Sequence, residues 1–364
     1  MKSAKVIRRR KAEHIKICLS EDVSHRINYW DFVYLIHNAL PEINKDEIKT
    51  EVKIFQKKLK YPIIIAAIGG GGRYNKKLNE TCARIAEELQ IGFCVGSQRL
   101  ALVDKELVKS YEVVKEYDIP LVFANIGSTQ LTKQKGKEEL NIEDIKTIMD
   151  MINADVLTVF LNPAQELIQP EGDENFAGIL EKIKELSTIF QVNVKEIGCG
   201  ISKEVASLLK NANIKGIEVA GVSGTSWTAV EYYRAKRYKI KEKKIKLGKL
   251  LWDWGIPAPI SILECVSSSQ EGVHIIGSGG IRNGLDVAKS IALGGDAASM
   301  ARVLLQPALS GTKALKEKIE SVIEELEATM LLVGAKNINQ LQRVPYILTG
   351  VLKEWKEQRL SNFT

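Results

Sequence analysis

From Tyr61 onward, short apolar runs alternate with longer stretches in which apolar residues recur at helical spacing. The runs are Pro62 to Ala67, Ile91 to Val95, Pro120 to Ile126, Val156 to Leu161, Val192 to Ile197, Gly216 to Ala220, His274 to Gly277 and Ala297 to Met300. Each is rich in β-forming residues, and most end near glycine or a polar turn, so each reads as a strand. Near-continuous apolar strands are buried on both faces, and most of the intervening segments are long enough for a helix, which predicts parallel pairing under a cover of helices. Eight such units predict an α/β fold, a (β/α)8 TIM barrel over residues 61–310. An open, doubly wound sheet is the competing arrangement.

In such a barrel, function belongs to the segments that follow the strands. The stretch Val273 to Ala301 breaks from an apolar run into Gly277-Ser278-Gly279-Gly280 and then into a helical pattern carried by Leu285, Ala288, Ile291 and Ala292. Glycines let backbone N–H groups approach an anion, a helix N-terminus adds partial positive charge, and Arg282 can hold a phosphate through two donors. The other strand ends bring Ile68 to Gly72, Gly96-Ser97-Gln98-Arg99, Asn125-Ile126-Gly127, Asn162 to Glu166, and Gly221 to Trp227 toward one mouth, with Lys195 inside the fifth run. That collection suits a heteroaromatic ring and phosphates.

Residues 1–60 form an N-terminal extension whose cluster Arg8-Arg9-Arg10-Lys11, followed by Glu13 and His14, is either a free basic tail or a lid. The lid reading rests on its direct passage into Ile15 to Leu19. His25 and His37 have no spaced partners and read as structural or surface residues. A lysine-rich insertion begins at Thr228, between the sixth and seventh strands, with Trp252 to Pro257 as its packing anchor. Beyond Pro307, the spacing of Leu315, Ile319, Val322, Ile323 and Leu326 predicts an amphipathic helix. Residues 311–364 are therefore a helical segment packing on the barrel or on a neighbouring subunit.

Composition narrows the class of protein. At 364 residues the chain exceeds the roughly 250 of a typical barrel, as a barrel with terminal additions should. Five scattered cysteines show neither disulfide nor metal spacing, which points to a reducing compartment. There is no apolar leader and no apolar run long enough to span a bilayer, so the expectation is a soluble cytoplasmic protein without a membrane partner. A formal charge of +7 suits anionic ligands, while 6% aromatic content and the lack of a recognisable module argue against nucleic acid.

Taken together, Arg10-Lys11 with Glu13-His14, Gly96 to Arg99, Ala124 to Gly127, Leu161 to Glu166, Val194 to Glu196, Gly224 to Trp227, Trp254 to Pro257 and Ser278 to Arg282 resemble the type 2 isopentenyl-diphosphate isomerases. The likeness runs in order from about residue 8 to residue 305. It implies an FMN-binding barrel that interconverts isopentenyl and dimethylallyl diphosphate, with reduced flavin as acid and base, NADPH as a reductant and magnesium on the diphosphate. It also implies a homo-oligomer, tetramer or octamer. Carried over by position, Gln165 is the catalytic amide and Glu166 the magnesium ligand. Arg10, Lys11, His14, Ser97, Gln98, Arg99 and Asn162 contact substrate with Gln165. Ala67, Ile68, Gly69, Ser97, Asn125, Lys195, Thr225, Gly279, Gly280, Arg282, Met300 and Ala301 contact FMN. Four positions depart from the family's pattern: Ile68-Gly69 replaces Met-Thr, Phe160 replaces His, Ala220 replaces Ser, and Ser223 replaces Gly. The alternatives are an FMN-dependent oxidoreductase on the same barrel and a non-catalytic binder of flavin or isoprenoid phosphate.

Overall fold

The computed structural model describes residues 2–69, 74–238, 242–268 and 272–360. Gly70, Gly71 and Gly72, expected at the mouth, lie outside the described residues. All eight apolar runs are strands: Ile63–Ile65, Gly92–Cys94, Leu121–Gly127, Val156–Leu161, Val192–Glu196, Gly216–Glu218, His274–Gly277 and Ala297–Met300. They pair in parallel in chain order, and the last closes on the first with Ala298 opposite Ile63 and Met300 opposite Ile65. That final pairing excludes the open sheet. Alternation along each strand separates two apolar layers. Ile64, Cys94, Leu121, Phe123, Val156, Ile276 and Ala297 fill the barrel, whereas Ile63, Ile65, Phe93, Val122, Leu157 and Val194 join the core beneath the helices. Both faces of the sheet are apolar for this reason.

The ends of the barrel are closed differently. Val52–Ile54 and Lys57–Leu59 form an antiparallel hairpin whose two loop residues, Phe55 and Gln56, have φ of 47° and 65°. Such a turn favours Asn-Gly, so placing phenylalanine there is strained unless burial compensates. It does: Phe55 is 1% exposed, edge-on to Phe123 at 5.4 Å and 5.0 Å from the His274 ring. A Cβ on Gly216 would lie 2.4 Å from the Phe55 ring, so glycine is required opposite the plug. These partners sit at or near strand starts, which places the hairpin under the N-terminal end of the barrel.

At the other end, Lys2–Ser20 is one helix, so the basic cluster is not a free tail. Arg8 pairs with Asp104, and Ile15 and Ile17 are buried. The N-terminal extension is thus divided between opposite ends of the barrel: the hairpin seals one, while the first helix and the segment after it, whose Trp30 donates to Gly279 O at 2.8 Å, lie at the mouth. Further on, Val33–Leu35 pairs antiparallel with Tyr346–Leu348, stitching this extension to the C-terminal segment. The expected amphipathic helix is Thr312–Leu332, with Leu315, Ile319, Val322, Ile323 and Leu326 all buried. The Trp252 to Pro257 segment anchors the insertion: Trp252 donates to Ser24 O at 2.8 Å, Ile256 N–H to Cys199 O at 2.8 Å, and Pro257 bridges to Val222, while Trp254 is exposed.

Phe55→Ala should lower the unfolding free energy by about 3–5 kcal/mol, because truncating a buried aromatic leaves a cavity. Denaturant titration measures it, and a loss below about 1 kcal/mol would show that the hairpin is no plug.

Candidate functional site

Three cations meet where the N-terminal helix crosses the end of the second strand. Lys11 Nζ donates to Ser97 O at 2.7 Å, joining the helix to the segment that carries Arg99. Burial, then the charges of Arg10 and Arg99, push the Lys11 amine down to about 7. The nearest paired carboxylates are distant: Glu171 is 3.9 Å from Arg10, and Asp173 is 3.6 Å from Arg99. Glu171 is held more closely by Arg234, at 2.6 Å, and Asp173 by Lys137. Arg10, Lys11 and Arg99 therefore form a positive cluster that is incompletely neutralised, as a multiply charged anion would require.

Beside it stands the fourth strand end. Proline at the first position of helix Pro163–Ile168 fixes the turn that presents Gln165 and Glu166. The Asn162 amide donates to Gln165 Oε1 and to Glu166 Oε1, both at 2.9 Å, leaving Asn162 Oδ1 buried without a partner among the described residues. Glu166 Oε2 accepts from Gln169 Nε2 at 2.9 Å and from the Asp173 N–H at 2.8 Å. Burial pushes its carboxyl up. Among the described residues no three His, Cys, Asp or Glu side chains form a self-sufficient metal site. Glu166 nonetheless supplies a carboxylate that fits one magnesium ion completed by water and phosphate oxygens.

Gln165 Nε2 reaches Glu231 Oε1 at 3.2 Å, and His14 Nε2 lies 2.7 Å from the same oxygen. Glu231 is fully buried on helix Trp227–Arg237 and also takes Arg234 Nη1 at 3.1 Å. Burial alone would raise its carboxyl, but His14, Arg234 and Arg10 pull it down to about 2. Sequence reasoning missed Glu231. On a lysine-rich helical stretch, a charged residue looks like part of a solvated face, and only the fold turns it inward.

Deeper in the barrel, Lys195 is buried and pairs with Glu218 at 3.1 Å. Asn125 donates to Val95 O, while its Oδ1 is buried without a partner. Gln98 requires a correction: it does not face the mouth. It is fully buried, donates to Ile148 O at 2.8 Å and accepts from the Asn125 N–H at 3.2 Å. A buried amide must satisfy both ends, so Gln98 braces Asn125 instead of meeting a ligand. Ala66 N–H donates to Met300 O at 2.9 Å, so Ala67, Ile68 and Gly69 leave the barrel beside Met300 and Ala301. Thr225 bridges to Ser24, in the segment that follows the first helix.

The glycine loop is built for close approach. Gly279 and Gly280 have φ of +88° and +86°, and a Cβ on Gly280 would lie 2.5 Å from Ser223 O. The following helix, Gly284–Ala292, departs from expectation as an anion site. Glu325 Oε2 already accepts the Gly284 N–H at 2.7 Å, and Asn283 caps the Asp286 N–H. Arg282 is paired with buried Asp286 at 2.9 Å and with exposed Asp31 at 2.6 Å. An arriving phosphate can take the place of Asp31. The open Asn125 oxygen, the lysine and the glycine loop fit a flavin ring with its phosphate tail.

A family model described as FMN-dependent dehydrogenase matches residues 253–347. Solved mandelate oxidases share the fold. One bound to 2-hydroxy-phenylacetamide gives a TM-score of 0.62 at 17% identity, over 96% of this chain and 99% of that one. Another, bound to benzaldehyde, gives 0.62 at 18% identity over 89% of each. Curated relatives match almost end to end. An isopentenyl-diphosphate delta-isomerase of Thermoplasma volcanium is 44% identical over 97% of this chain and 100% of its own. One of Methanocaldococcus jannaschii is 41% identical over 96% of this chain and 97% of its own. The chain is an isomerase and belongs to the isopentenyl-diphosphate delta-isomerases, in their FMN-dependent type 2 form.

Proposed function

We propose that this chain interconverts isopentenyl and dimethylallyl diphosphate, using FMN in the barrel and magnesium on the diphosphate. The observation that carries the reading is one mouth in which the Arg10, Lys11 and Arg99 cluster adjoins Glu166 and the Gln165–Glu231–His14 chain of contacts. Arg10, Lys11 and Arg99 would bind the diphosphate, and Glu166 would hold the magnesium that offsets its charge. The five-carbon tail then lies toward Phe160, a half-buried ring on the inner register of the fourth strand, seated because Gly127 leaves it room. An apolar wall there suits an alkene. Gln165 is fixed by donation to Glu231, and an amide neither gives nor takes protons readily near neutral pH, so it orients the tail. His14, bonded to the same Glu231 oxygen, brings a side chain able to carry a proton beside that amide. Bound FMN, reduced by NADPH, supplies the proton donor and acceptor beside the alkene.

Hydroxy-acid oxidation, the chemistry suggested by the fold neighbours, needs a histidine base at the mouth. Here His274 lies at the closed end against Phe55, and burial lowers His25 to about 4, beside the Ser223 N–H. Neither is placed for that task. A third, His14, does lie at the mouth, but it is bonded to the Glu231 oxygen that also accepts from Gln165, beside the Arg10 and Lys11 cations.

Isomerisation involves no net redox change. The FMN-loaded protein, reduced anaerobically with NADPH, should therefore convert many equivalents of isopentenyl diphosphate per NADPH consumed; one NADPH per product would favour an oxidoreductase. Glu166→Gln should keep FMN but raise the magnesium concentration for half-maximal rate roughly ten-fold or more. Unchanged magnesium dependence with lowered thermal stability would confine Glu166 to bracing the Asp173 N–H. Lys11 adds a pH test, since an anion binds its protonated form. The advantage of wild type over Lys11→Gln in diphosphate affinity should be full below about 7 and shrink as pH rises through it. Calorimetry from about pH 6 to about pH 9 reads this, and a constant ratio would mean that Lys11 does not titrate there.

A further inference from the structure

Below the mouth, one layer of the barrel interior is polar. Lys195 on the fifth strand and Glu218 on the sixth are paired in register, with Nζ and Oε1 3.1 Å apart. Ser299, on the eighth strand, donates its hydroxyl to the same Glu218 oxygen from across the seventh. All three are buried. A lone lysine enclosed this way would shed its proton, because desolvation penalises the ammonium. Burial does pull Lys195 down, but the Glu218 carboxylate and lesser contributions outweigh it, and its amine is held above the ordinary lysine value.

The other titratable groups acting on Lys195 cannot replace Glu218. Cys94, on the second strand, has its thiol pushed up to about 12 by burial and is neutral near pH 7. Glu196, the next residue on Lys195's own strand, spends one carboxylate oxygen on the N–H groups of Ile197, Gly198 and Cys199. Burial also raises its carboxyl to about 7. It points away from the pair, since successive strand residues face opposite sides.

We propose that Glu218 is a positioning residue: it keeps Lys195 protonated and fixes its Nζ at the flavin's edge, and so sets the site's preference for reduced over oxidised FMN. The inference rests on the flavin reading given above. Reduced FMN is anionic and gains from a fixed cation that oxidised FMN uses less. A neutral amine offers it only a weak dipole, so Glu218 acts through the charge of its neighbour.

The test is the ratio of dissociation constants for oxidised and reduced FMN, measured anaerobically on the full chain. Glu218→Gln should reduce the preference for reduced FMN roughly ten-fold, about 1.4 kcal/mol, at neutral pH. Lys195→Gln should shift it in the same direction, and Glu218→Asp should restore part of it. A ratio in Glu218→Gln that is unchanged, or that moves further toward reduced FMN, overturns the proposal, because Lys195 would then hold its charge unaided. Should Glu218→Gln not fold, Ser299→Ala removes only the hydrogen bond that anchors the carboxylate and should give a smaller loss in the same direction. An unchanged ratio there overturns the proposal too. A purely structural role would change stability and leave the ratio alone. Wild-type protein that binds neither form of FMN would instead overturn the flavin reading.

Discussion

Because the eighth strand hydrogen-bonds in parallel to the first, every strand delivers its C-terminal end to the same opening. Groups far apart in sequence, such as Ser97, Asn125, Gln165, Lys195 and Thr225, reach one mouth with no further device. The same closure leaves the N-terminal end to be sealed from outside, which the Phe55 hairpin does at the cost of two left-handed backbone positions. One end is dry and apolar. The other collects charge.

That charge is arranged by what it lacks as much as by what it pairs with. Arg234 is enclosed by Glu13, Glu171 and Glu231, and Glu231 also binds His14, so the first helix is tied to the body through buried ion pairs. Breaking one partner of such a set leaves an uncompensated buried charge, commonly worth about 3–5 kcal/mol. Lys11 instead donates to a backbone carbonyl, and Arg99 has Asp173 at 3.6 Å, so among the described residues this pair of cations is less closely matched by carboxylates than Arg234 is.

The barrel was legible because its strands are short apolar runs, most of them separated by segments long enough for a helix, and the final pairing needs no special residues. The phosphate loop was legible in Gly279 and Gly280, but its helix N-terminus was not, because Glu325 caps it from a helix some forty residues away. Gln98 misled for a related reason: an amide between Ser97 and Arg99 looks like a contact until the Ile148 carbonyl is known to lie beside it. The hairpin escaped notice because Phe-Gln is a poor turn sequence, tolerated only through the burial of Phe55. Glu218 escaped because a carboxylate's partners on other barrel strands leave no local trace, and Glu231 because its helix looks solvated until the fold turns it inward.

If the first helix contributes two of the three diphosphate cations and the barrel holds the flavin, loss of the helix cations separates the two binding events. Arg10→Gln/Lys11→Gln, compared with wild type, separates the two by calorimetry with isopentenyl diphosphate and by FMN content. Losing two charge-assisted bonds of about 1.5 kcal/mol each should weaken diphosphate binding roughly a hundred-fold with FMN content unchanged. Equal affinity for the diphosphate in the two proteins would contradict the account.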